Sequence, residues 1–133
     1  MTAAAAAFRG WFSGSLGTVA IVAAVGFWPT MRWGGEQALS ALAAGCAAGW
    51  LGSLAGALPV LRALRRSDRR APNVVALSAM AWRAAGTLAL GALAFAAGPW
   101  PRVPLVVWTG LAYVALLVSE TRWTIRWLGA GGR

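Results

Sequence analysis

Four stretches of the chain are almost free of polar side chains, and short segments rich in arginine, glycine or proline separate them. The first runs from Trp11 to Trp28, about 27 Å as a helix, with tryptophan at both ends. It resembles a secretory signal only superficially, since it lacks a strongly basic start and a small-residue cleavage site, and it reads as a retained span. Pro29 is expected to stop it, and Gly34 and Gly35 to make the turn that follows. The second run, Ala38 to Leu61, holds no charge. The third, Val74 to Ala97, holds one, Arg83, and ends at Gly98-Pro-Trp-Pro-Arg-Val-Pro104, where three prolines oppose helix continuation. The fourth starts near Leu105, is apolar to Val118, and leaves through an amphipathic segment containing Glu120, Arg122, Trp123, Arg126 and Trp127.

Runs of this length without polar alternation fit helices that face lipid on all sides. The pattern predicts a single all-α transmembrane domain, residues 1–133, of antiparallel hairpins with four spans near 11–28, 38–61, 74–97 and 105–124. Composition agrees. Of 133 residues 59% are hydrophobic and 11% charged, against roughly a quarter charged in soluble domains.

Charge then orients the spans. All twelve basic residues are arginines. Arg9, the loop arginines Arg62, Arg65, Arg66, Arg69 and Arg70, and Arg122, Arg126 and Arg133 fall on one side of a four-span layout, with Arg32 and Arg102 on the other. By the positive-inside rule both termini and the basic loop 62–73 are cytoplasmic. That loop reads first as a topology signal, and otherwise as a patch for an anionic lipid such as cardiolipin or for an acidic partner surface. Nucleic-acid binding is the weaker explanation of the +9 charge.

The residue inventory narrows the chemistry. There is no histidine, one cysteine (Cys46) and three carboxylates, Glu36, Asp68 and Glu120, none close together in sequence. Catalytic triads, histidine-bearing zinc sites and disulfides are therefore not expected, and the chain reads as a non-enzyme without cofactor or metal. Of the nine tryptophans, Trp11, Trp28, Trp33, Trp100, Trp123 and Trp127 are expected at membrane boundaries, and Trp50, Trp82 and Trp108 in packed positions.

Two features stand out as candidate sites. The second run carries small residues every four positions: Ala41, Gly45, Gly49, Ser53 and Ala57, beside Ser40, Ala44, Ala48, Gly52 and Gly56. Its two GxxxG patterns form a smooth face for another helix, either one of this chain's own, a second copy, or a foreign glycine-rich helix. The other feature is Arg83, about 13 Å into the third span. A guanidinium there cannot shed its proton and needs a partner. Glu120, about one turn nearer the cytoplasm on the antiparallel fourth span, is the internal candidate; snorkelling to headgroups and a carboxylate on another membrane protein are the alternatives.

The layout resembles the bacterial ATP synthase protein I family. The local matches are Ala43-Ala-Gly-Cys-Ala-Ala-Gly49 followed by Ala57-Leu-Pro59, the Trp82-Arg83 segment, and Leu105 to Val118. The likeness spans residues 38 to 127; many members place a glutamate shortly before the basic position of the third helix, where this chain has Ser78, Ala79 and Met80. The resemblance implies a bacterial inner-membrane accessory protein that assists assembly of the ATP synthase c-subunit ring, with a part in magnesium supply. Subunit c hairpins are glycine-rich and carry an embedded carboxylate, complementary to a smooth face and a buried arginine. Magnesium passage fits less well, because no span has an acid at mid-depth. Outside the family, a small structural subunit of a respiratory or photosynthetic complex and a small oligomeric ion transporter remain alternatives.

Overall fold

A computed structural model describes residues 3–66 and 72–130. It is all-α, with helices α1 (Ala3–Arg66), α2 (Pro72–Ala97) and α3 (Arg102–Ala130). All three are long and apolar enough to cross a membrane.

The sequence pattern anticipates four separate helices, whereas the first two runs lie in one helical element. Pro29 does not end it; both Pro29 and Pro59 sit inside α1. A proline inside a helix removes one hydrogen bond, a loss that helices in a membrane setting accommodate through their neighbours. The interruption falls instead at Gly35, whose φ of 62° and ψ of −154° lie in a region essentially reserved for glycine. At Gly34 a β-carbon would stand 2.5 Å from the Ala38 β-carbon, so the tight reversal needs both glycines.

The consequence is a helix folded back on itself. In a straight helix Ser15 and Trp50 would be about 52 Å apart, yet Trp50 Nε1 donates to Ser15 Oγ at 3.2 Å and the Phe12 and Trp50 rings meet edge-on at 5.4 Å. α1 therefore consists of two antiparallel arms, residues 3–34 and 36–66.

The second arm is the axis of the fold. Gly45 lies against Leu105, Trp108 and Thr109 of α3, and Gly49 against Ala112, so the second arm and α3 run parallel in close contact. Gly52 and Gly56 lie against Thr87, Arg83 and Ala79 of α2, which runs antiparallel. The first arm packs antiparallel on α3 as well: Gly26 abuts the Trp108 ring, and the Thr18 and Ser119 hydroxyls are 3.0 Å apart. α2 and α3 touch each other least.

The distribution of side-chain size follows from this close approach. The core is small, with Leu42, Cys46 and Ala112 at its centre and Val19, Val22, Ala23, Leu39 and Trp108 around them. Beyond Leu42, Leu105 and Leu116, many large aliphatic side chains point outward; Val25, Leu88 and Val103 are each at least 70% exposed. A soluble bundle does the reverse, since water expels its large side chains. Lipid exerts no such force, and backbone proximity through glycine and alanine drives the packing instead.

At the α2–α3 connection Gly98 N donates to Ala94 O at 2.9 Å, and a β-carbon on Gly98 would strike the Trp100 ring. The break occupies residues 98–101, shorter than the proline count suggests. Pro104 lies within the first turn of α3, where its missing N–H is tolerated, and Leu105 N donates to Pro101 O at 3.1 Å. Trp82 departs from expectation, being exposed rather than packed, and Trp11 is buried among the chain's own helices. The side chain of Trp127 lies outside the described residues.

Candidate functional site

Arg83 projects from α2 at its crossing with the second arm. A β-carbon on Gly56 would stand 2.9 Å from Arg83 Cβ, 3.3 Å from Arg83 Nε and 2.8 Å from Ala79 O. The arginine stem thus lies directly over Gly56, and only the absence of a side chain there lets it cross. Three residues further on, Gly86 approaches the Gly52 backbone, with Gly52 O 3.1 Å and Gly52 Cα 3.3 Å from where its β-carbon would be. Gly86 and Thr87 complete the crossing, and their signal in the sequence was the helical spacing of Ala79, Arg83 and Gly86 on one face.

Across this crossing Arg83 Nη2 donates to Glu120 Oε2 of α3, forming an ion pair in which both residues are more than nine-tenths buried. Arg83 Nε and Glu120 Oε1 have no hydrogen-bond partner. The pair is thus half satisfied. It is held in a low-dielectric setting, where attraction between the charges is strong and each orphaned atom carries a desolvation penalty. Its structural effect is to tie α2 to α3, which otherwise have little in common.

The Thr87 hydroxyl has no conventional partner either, and it faces Gly52 so closely that a β-carbon would collide with it.

Between α2 and α3 an open, mainly apolar cleft of about 490 Å³ remains. Ala84, Gly91 and Ala92 line one wall, and Leu105, Gly110 and Tyr113 the other. The Arg83–Glu120 pair lies beyond one end. Beyond the other, the Arg102 guanidinium stacks 5.1 Å from the centre of the Phe95 ring.

The remaining sequence candidates are placed as follows. Gly45, Gly49, Gly52, Ser53 and Gly56 are all buried inside the chain, the first two against α3 and Gly52 and Gly56 against α2. Ser53 donates to Trp50 O at 2.8 Å. None of the five is open to another molecule. Arg62 is exposed near the end of α1, and Arg65 and Arg66 belong to its last turn, so the expected loop is helical at its start. Arg69 and Arg70 lie outside the described residues. Among the described residues no group of His, Cys, Asp and Glu is placed to hold a metal ion. No protein-family model matches the chain, and neither does any curated protein or solved structure.

Proposed function

We propose that the chain is an accessory protein of the bacterial inner membrane that assists assembly of the F-type ATP synthase c-ring. In this reading both arms of α1 cross the bilayer, so that with α2 and α3 there are four crossings. The reversal at Gly35 and the Ser15–Trp50 contact support that count, and the arginine distribution supports cytoplasmic termini.

The partner is taken from the resemblance to ATP synthase protein I, and the α2–α3 cleft is the face assigned to it in this reading. The glycine rows of the second arm and the guanidinium of Arg83 are already used internally, so a subunit c helix has neither to dock on. The cleft is apolar; Ala84, Gly91 and Ala92 supply small positions on its α2 wall, and Gly110 opens the α3 wall between Leu105 and Tyr113, which suits approach of a glycine-rich helix there. A β-carbon at Gly110 would meet nothing within 4 Å, so that position is open to an incoming helix.

The test is photocrosslinking in cells from an unnatural side chain at Gly110, with lipid-facing Ile21 as the control position. Subunit c adducts from Gly110 alone are the expected result. Adducts only to lipid, or equal subunit c adducts from both positions, would overturn the reading.

A further inference from the structure

A second groove, of about 440 Å³, lies between the first arm and the C-terminal half of α3, away from the α2–α3 cleft. Its lining includes Gly14, Ser15, Ser119, Glu120, Arg122 and Arg126. The volume is many times the roughly 30 Å³ that one water takes in the liquid, and the charges are unusual for a surface flanked by lipid. Glu120 is only 3% exposed, and its Oε1 is an acceptor without a donor. Arg122 and Arg126, one turn apart, are both exposed at the groove. Trp11 and Trp123 also line it, placing it at the level where amphipathic rings sit among headgroups.

We propose that this groove binds the headgroup of an amine-bearing zwitterionic phospholipid, of the phosphatidylethanolamine class. The Glu120 carboxylate turns its buried Oε1 toward the groove to accept from the ammonium, which completes the carboxylate that Arg83 satisfies only on its other oxygen. The phosphate lies against Arg122 and Arg126, whose guanidinium groups suit a tetrahedral oxyanion. Glu120 and Arg126 are six residues apart, about 9 Å along the helix, a span that one headgroup and the two long arginine side chains bridge together. An anionic lipid without an amine would satisfy the arginines but would leave Oε1 unpaired and bring a second negative charge beside it. A quaternary ammonium has the charge but no N–H to donate. The groove floor is open because a β-carbon on Gly14 would meet nothing within 4 Å.

The proposal is independent of any role with subunit c. Native mass spectrometry of the full chain in detergent, titrated with phosphatidylethanolamine, phosphatidylcholine and phosphatidylglycerol of identical acyl chains, tests it. Phosphatidylethanolamine should be retained about tenfold over phosphatidylcholine, the worth of one charge-assisted hydrogen bond, and also above phosphatidylglycerol. Gly14→Leu, which puts a side chain into the groove from a position where a β-carbon meets nothing within 4 Å, should abolish the preference, and Arg122→Ala/Arg126→Ala should weaken retention of all three lipids. Glu120→Gln should equalise the ethanolamine and choline lipids; if that variant fails to fold, the comparison of headgroups on the wild-type and Gly14→Leu proteins carries the test. Equal retention of ethanolamine and choline lipids by the wild type, stronger retention of phosphatidylglycerol, or indifference to Gly14→Leu would each overturn the assignment.

Discussion

Arg83→Leu removes one member of a buried ion pair and leaves the Glu120 carboxylate with neither oxygen satisfied, since Oε1 is already without a partner. Breaking such a pair from one side typically costs about 3–5 kcal/mol. The lower end applies here for two reasons. Only one hydrogen bond joins the two residues, and hydrogen bonds between membrane helices are worth only about 0.6 kcal/mol on average. Adding Glu120→Leu removes the stranded charge together with its desolvation penalty, so the double variant should recover most of the loss and lie within about 1 kcal/mol of wild type or above it. The two sites should thus show a coupling energy of about 2 kcal/mol or more. Unfolding in mixed micelles by titration with a denaturing detergent, followed by circular dichroism, gives the three differences. Strictly additive losses would refute the internal pair. So would an Arg83→Leu protein as stable as wild type, which would mean that the guanidinium reaches headgroups instead.

Three further perturbations have expected outcomes. Gly35→Ala forces a β-carbon into a backbone region closed to it and should destabilise the protein by about 1–3 kcal/mol, whereas Gly17→Ala, where a β-carbon meets nothing within 4 Å, should be close to neutral in the same unfolding assay. Gly52→Val drives a side chain into the Thr87 backbone, which stands 2.6 Å from the β-carbon position; it should separate α2 from the second arm, and a cysteine pair across that crossing should then lose its crosslink. On a Cys46→Ala background, single cysteines at exposed Gln37 and Arg62 should label from opposite faces of the membrane; labelling from one face would remove the fourfold crossing.

The long apolar runs were legible because lipid-facing helices need no period, only length. The reversal in α1 was legible as the Gly34-Gly35 pair, and only the end of the first helix was misplaced, at Pro29, since a proline rule derived from helices in water overstates the penalty where neighbouring helices share the load. Antiparallel register and the scarcity of acids made Glu120 the internal candidate for Arg83, beside headgroups and a foreign carboxylate, and the ion pair selects among them. The glycine rows were equally visible, but not their neighbours. Two rows side by side on one helix look alike in sequence, and only the three-dimensional order of helices gives Gly45 and Gly49 to α3 and Gly52 and Gly56 to α2. The burial of Trp11 and exposure of Trp82 were hidden for the same reason, because tryptophan suits both a packed and an interfacial position.

The proposal that subunit c is met by the α2–α3 cleft, and not by the arginine, is tested most directly by copurification of subunit c with three full-length proteins: wild type, Gly110→Leu, and Arg83→Leu/Glu120→Leu. Wild type and the charge-free double variant should bring down subunit c alike. Gly110→Leu, which fills the cleft from a position that is open in the folded chain, should bring down at most about a tenth as much while remaining as helical as wild type. Loss of subunit c from a folded double variant, with Gly110→Leu unaffected, would contradict the account and make Arg83 the group that the partner reads.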